Sequence, residues 1–178
     1  MLVNKLVREL QQGSEEAFSE LYMLYEKSLL NHLYKMLGNH EEAEEVFHET
    51  MLNMIKKIDS YTERTDLKNS FKAWLFRMAT NKAIDKIRTH KKHIQFDVVE
   101  SISIEDEIIH YDLNEKLSSL IMHLPRIQRT FLNLKVKEDL SHLEIATICG
   151  CSLNSVKQGL FRARKNLKDL MIKEEIEI

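Results

Sequence analysis

The sequence predicts an all-α protein: two small helical domains joined by an acidic linker, the second containing a helix-turn-helix. Three observations predict this. Apolar residues recur at three- and four-residue spacing along most of the chain. Only four Gly and one Pro interrupt 178 residues rich in Leu, Ile, Lys and Glu, which are good helix formers apart from the middling Ile. Charge is also sorted into blocks of one sign, with an acidic stretch between two helical regions.

The elements follow in order. Leu2 to Gln11 reads as a short helix ending at Gly13. Ser14 opens a longer one, with Glu15 and Glu16 at its positive end. Its apolar face runs Phe18, Leu21, Tyr22, Tyr25, Leu29, Leu33, Met36 and Leu37, and Gly38 stops it. Asn39 opens the third helix, with Glu42 in the capping-box position. Ala43, Val46, Phe47, Met51, Met54, Ile55 and Ile58 are expected on its buried side. Asp59 to Ser70 is polar and has no period, so it is expected to be a loop. Phe71, Trp74, Leu75, Met78, Ala79 and Ile84 then recur at helical spacing until Arg88, and these residues are read as core.

Residues 1–92 make the expected first domain, 93–110 the linker and 111–178 the second domain. In the second, Leu113, Leu117, Leu120 and Leu124 share a face from about Tyr111. Pro125 suits the first turn of a helix from Arg126 to Val136. Ser141 and Glu144 form a capping box, Gly150 supplies a left-handed turn, and Ser152 caps a last helix running to about Met171. Val156, Leu160, Ala163 and Leu167 form its apolar seam. Opposite lie Asn154, Gln158, Phe161, Arg162 and Lys165, and no acid occurs between Leu153 and Lys168. Amides and guanidinium groups on one helix face are suited to reading base edges in a major groove. A helical hairpin with a solvated basic face is the plainer alternative, and the paired caps, the glycine turn and the one-sided charge favour DNA.

A formal net charge of −2 argues against nucleic-acid binding, but its distribution reverses that argument. Lys72, Arg77, Lys82, Lys86, Arg88, Lys91 and Lys92 face a single nearby acid, Asp85. Glu41, Glu42, Glu44, Glu45 and Glu49 cluster without Lys or Arg. Such segregation points to several partners of different sign. No apolar run is long enough to span a membrane, and the charged, amphipathic start is unlike a signal peptide; a cytoplasmic protein is expected. Cys149 and Cys151 form no disulfide framework and are read as core. The scattered His and these Cys give no metal spacing. No phosphate-binding loop, nucleophile elbow or catalytic carboxylate pair is present, so no enzyme activity, metal or cofactor is expected.

GSEEAFSELY, EEAEEVFHETML, SFKAWLFRMATNKAIDKIR and the segment from Leu124 to Leu167 resemble, in register, the extracytoplasmic-function sigma factors of bacterial RNA polymerase. The resemblance implies a transcription initiation factor that binds core polymerase, recognises −35 and −10 promoter elements and promotes melting. It implies that Glu44, Glu45, His48, Glu49 and Leu52 dock on the β′ clamp helices. His48 stands where the family usually has Gln, and Met51 where an aromatic is frequent. Tyr61, Lys72, Arg77, Asn81, Lys82, Lys86 and Arg88 would contact the melted −10 strand, with Tyr61 in the loop that captures a flipped base. Ser152, Asn154, Lys157, Gln158, Phe161, Arg162 and Lys165 would contact the −35 duplex. Gly159 replaces the family's usual Arg, which predicts a weaker or altered −35 contact. The linker acids Asp97, Glu100, Glu105, Asp106, Glu107 and Asp112 resemble a segment that enters the RNA channel, and a solvated tether fits them equally. Promoter DNA, core polymerase and an anti-sigma factor are the implied partners. A stand-alone helix-turn-helix regulator, or a sigma mimic that titrates an anti-sigma factor, are the alternative readings.

Overall fold

The structure, a computed structural model, describes residues 2–93, 117 and 119–173. Among these residues there are helices and connecting turns but no strand. In the first domain α1 is Leu2–Gln11, α2 is Glu15–Leu37, α3 is His40–Lys57 and α4 is Ser70–His93. The Ser14 hydroxyl accepts the Ala17 amide at 3.1 Å and so caps α2. Gly38, at φ 77°, ends that helix; only a residue without a Cβ takes this conformation cheaply. Asn39 then caps α3 by accepting the Glu42 amide at 3.0 Å.

Helices α2, α3 and α4 pack together around Leu21, Leu29, Leu33, Phe47, Met54, Leu75 and Phe76, all essentially inaccessible to solvent. Burying each such side chain contributes about 1.5–3 kcal/mol. The smaller α1 lies on α2 through Leu6, Val7 and Leu10. Phe71 is buried and Trp74 half-buried, as expected of core residues. Two details differ from the sequence reading. Helix α4 continues past Arg88 to His93, because no Gly or Pro stops it. Ile55 is 44% exposed, although the helical pattern placed it inside; it sits at the edge of an apolar stripe that Met51, Met54 and Ile58 already fill.

A short helical stretch at 119–122 leads into α5, Arg126–Leu132. The expected helix to Val136 is instead broken into α5 and a π-helical turn, Asn133–Lys137, in which the Glu138 amide reaches back to the Asn133 carbonyl at 3.3 Å. Asp139 follows at φ 49°. Helices α6, His142–Cys149, and α7, Leu153–Lys173, complete the domain. Leu134, Leu140, Ile145, Ile148, Val156 and Leu160 form its interior. The linker acids, and the helix start expected at Tyr111, lie outside the described residues.

The two helical groups pack on each other, α4 along α6 and α2 against α5. Their buried apolar side chains form one continuous cluster. Polar contacts seal its edge. The Asn69 amide donates to Glu144 at 2.6 Å, Lys72 pairs with Glu138 at 2.8 Å, and the Asn31 amide reaches Asn133 at 3.4 Å. Near this seam His32 is fully buried, its Nε2 2.9 Å from the Thr80 hydroxyl. Burial, and then the neighbouring Lys35, lower its pKa to about 3, so the ring is neutral.

Candidate nucleic-acid and polymerase interfaces

Helices α6 and α7 form the helix-turn-helix that the caps announced. The Ser141 hydroxyl accepts the Glu144 amide at 3.2 Å, and the Glu144 carboxylate accepts the Ser141 amide at 2.8 Å. Gly150, at φ 63°, makes the turn, and Ser152 accepts the Ser155 amide at 3.1 Å. Val156, Leu160 and Ala163 fasten α7 to the domain. That seam fixes the opposite face. Asn154, Lys157, Gln158, Arg162 and Lys165 are all exposed, and Phe161 is 70% exposed. Phe161 thus stands in water among cations and an amide on this face. The same geometry explains Gly159. A Cβ there would lie 2.5 Å from both Cδ2 and Cε2 of the buried Phe131 ring. The glycine allows α5 to press against α7, a reason that the missing Arg alone did not reveal.

Helix α4 presents Arg77, Asn81 and Arg88 to solvent. Its lysines are differently placed. Lys82 pairs with Glu49 at 2.5 Å, and Lys86 pairs with Glu45. The Lys72 ammonium donates to the Glu138 carbonyl at 3.1 Å, pairs with its carboxylate, and lies 5.6 Å from the centre of the Phe76 ring. Apart from Tyr61, the residues expected on the −10 strand therefore share one helix, but Lys72, Lys82 and Lys86 are engaged by acids of other elements and Arg88 by Asp85 of its own. Tyr61 is half-buried, its ring against Phe71 and Trp74 and its hydroxyl donating to Ser70 at 3.0 Å. Burial raises its pKa. The Arg64 amide also donates to the Ser70 hydroxyl, at 2.8 Å, so one serine braces both sides of the loop. From α1, Gln11 donates to the Ile58 and Tyr61 carbonyls.

Glu44, Glu45, His48, Glu49 and Leu52 all stand on the solvent side of α3, with Leu52 57% exposed. Val46 is in the core, as its place on the buried side predicts. So is Met51, which makes that departure from the family an interior one. An acidic face with an exposed leucine at its C-terminal side suits a cationic partner with an apolar contact.

Sequence reasoning missed the seam between the helical groups. Glu144 was legible as a cap, but not as the acceptor of the Asn69 amide. Although burial pushes its pKa up, the amides of Ser141 and Asn69 together hold it below the ordinary carboxylate value. Glu138 carries no motif, yet its side chain is 5% exposed and ion-paired. Lys35 is buried nearby, and burial, then Lys137, depress its pKa against the pull of Glu138. Cys149 is largely shielded and burial pushes its thiol up to about 12; a protonated thiol is a poor metal ligand and nucleophile. Among the described residues no cluster of His, Cys, Asp and Glu could hold a metal, and no helix is long and apolar enough to cross a membrane.

A helical domain with an acidic face beside a basic helix, followed by a helix-turn-helix, has a counterpart among known proteins. The sigma-70 region 2 model matches residues 21–93, and the sigma-70 region 4 model matches residues 114–167. The extracytoplasmic-function sigma factor SigW of Bacillus subtilis is 30% identical over 189 aligned residues, covering 96% of this chain and 99% of that protein. SigM of the same organism is 30% identical, covering 85% and 93%. In fold, the chain is similar to the sigma factor RpoE of Bartonella quintana, solved in complex with the anti-sigma factor NepR. The TM-score is 0.72 at 24% identity, over 86% of this chain and 96% of the other. This chain belongs to the extracytoplasmic-function sigma factors of RNA polymerase, which are transcription initiation factors.

Proposed function

We propose that this sigma factor docks on the β′ clamp helices of core polymerase through Glu44, Glu45, His48, Glu49 and Leu52. In this reading α7 reads the −35 duplex with Lys157, Gln158, Phe161, Arg162 and Lys165, while Ser152 and Asn154 hold phosphate at the helix start. Helix α4 and the loop at Tyr61 hold the melted −10 strand, with Arg77, Asn81 and Arg88 already exposed and Lys72, Lys82 and Lys86 available once released. Phosphate contact supplies affinity, and base contact supplies the choice of promoter. The division into 1–92, 93–110 and 111–178 assigns docking and −10 recognition to the first part and −35 recognition to the last. The protein works in the cytoplasm, catalyses nothing itself and is held in check by an anti-sigma factor.

The observation that carries this reading is one chain presenting an acidic face on α3 and two basic reading helices, α4 and α7. A stand-alone operator-binding protein has use for α7 alone. Run-off transcription with core polymerase on a library of promoter templates tests it. Initiation that depends on the chain, at templates sharing two spaced elements, is the expected result. Specific duplex binding without core binding would instead identify a stand-alone regulator, and core binding without initiation a mimic.

A further inference from the structure

The surface proposed for core docking and the cations proposed for the −10 strand touch each other. Glu45 and Glu49 are four residues apart on α3, and Lys82 and Lys86 are four apart on α4. Residues at this spacing share a helix face. The helices pack side by side so that Glu45 meets Lys86 and Glu49 meets Lys82, a two-rung ladder across their groove. Asp85 also lines this groove, which encloses about 240 Å³, and Arg88 lies 3.7 Å from Asp85. The ladder is asymmetric. The glutamate side chains are 60% and 50% exposed, and the lysines only 19% and 28%. The acids thus form an outer layer, open to a partner, over cations that they partly cover.

Resting on the reading above, we propose that Glu45 and Glu49 have a second role: in the free protein they mask Lys82 and Lys86 from single-stranded DNA. Docking of a guanidinium-bearing partner surface on α3 exchanges the pairs and releases the lysines. A planar guanidinium engages carboxylates bidentately and is less strongly hydrated than an ammonium, so it competes well for these acids. Exposed pairs are weak, which suits an exchange that must proceed readily. Core docking and −10 capture are thereby coupled through four side chains.

The test measures the affinity of the full chain, free and in holoenzyme, for a labelled mixed-sequence single-stranded DNA 12-mer. Glu45→Gln with Glu49→Gln is compared with Glu20→Gln plus Glu41→Gln, which change net charge equally at exposed positions outside the ladder. The ladder variant should bind the strand about tenfold more tightly than the control, a few-fold for each pair. Adding Lys82→Gln and Lys86→Gln should abolish that gain. Equal affinity of ladder and control variants, with Lys82→Gln and Lys86→Gln weakening single-strand binding by holoenzyme, would overturn the mask and leave the α4 reading standing. Lysine variants without effect on holoenzyme would overturn both.

Discussion

Helices α4 and α7 have similar composition and opposite states. Both carry cations and an amide on a face that their apolar seam turns outward. On α7 Lys157, Arg162 and Lys165 make no ion pair among the described residues, and Phe161 stands in water. On α4 Lys72, Lys82 and Lys86 are each bound to a carboxylate from another element. On the function proposed above, the difference matches the order of events at a two-part promoter: α7 is open to a duplex from the first encounter, and the three lysines of α4 stay paired until a melted strand forms inside the polymerase complex. The lesson is that charge sign alone does not define a binding face; what holds each charge does.

The largest effect is expected at the seam. Glu138→Ala leaves Lys72 without its carboxylate, and Glu144→Ala leaves the Asn69 amide without an acceptor. Removing one partner of a buried polar pair costs about 3–5 kcal/mol when the other stays buried. Here the helical groups can separate and hydrate both groups instead. The double variant should therefore increase the radius of gyration in solution scattering and raise single-strand affinity several-fold. Unchanged dimensions would show that the seam stays closed without these two carboxylates.

Next in size is Gly159→Arg. Family pattern says that this change should strengthen duplex binding; geometry says that its Cβ enters the Phe131 ring. Overpacking of this kind costs about 1–3 kcal/mol, partly offset by about 1 kcal/mol from replacing glycine in a helix. Calorimetry should show a lower melting temperature, with no gain in duplex affinity.

A pH effect comes from His32. Its folded pKa of about 3 lies below the ordinary 6.5. Below pH 6.5 the unfolded chain therefore takes up a proton that the folded chain refuses. This contribution to stability is fully present above pH 6.5 and is lost as the pH falls toward 3, by up to about 1.4 kcal/mol per pH unit. Denaturant titrations at pH 7 and pH 5 should show that loss, and His32→Gln should remove most of the difference.

The smallest effect sharpens the contrast between the helices. Arg162→Ala with Lys165→Ala should reduce the salt slope of duplex binding by about two. Lys82→Gln with Lys86→Gln should leave that slope unchanged.

Much of this was legible because local physics fixed it. Ser14, Asn39, Ser141 and Ser152 cap helices with hydroxyls or an amide that the first free N–H groups require. Gly38 and Gly150 end helices where a left-handed residue is needed. The outward faces of α3 and α7 followed from their apolar seams. The engagement of Lys72, Lys82 and Lys86 was not legible, since it depends on acids 66, 33 and 41 residues away. No period encodes such contacts. The π turn also escaped: Asn133 to Lys137 has an ordinary helical composition, and the contacts that Asn133 and Glu138 make with α2 and α4 are distant in sequence. Gly159 read as a lost cation because its partner, Phe131, lies on another helix.

The most direct measurement is the affinity of the wild-type chain for two probes, with and without saturating core polymerase. One is a duplex carrying the −35 element, the other the single-stranded −10 element, both taken from a promoter it initiates. Core alone, and holoenzyme bearing Lys82→Gln and Lys86→Gln, serve as references. Core should raise single-strand affinity at least tenfold through those lysines and change duplex affinity little. Single-strand binding that is equally tight without core would contradict this.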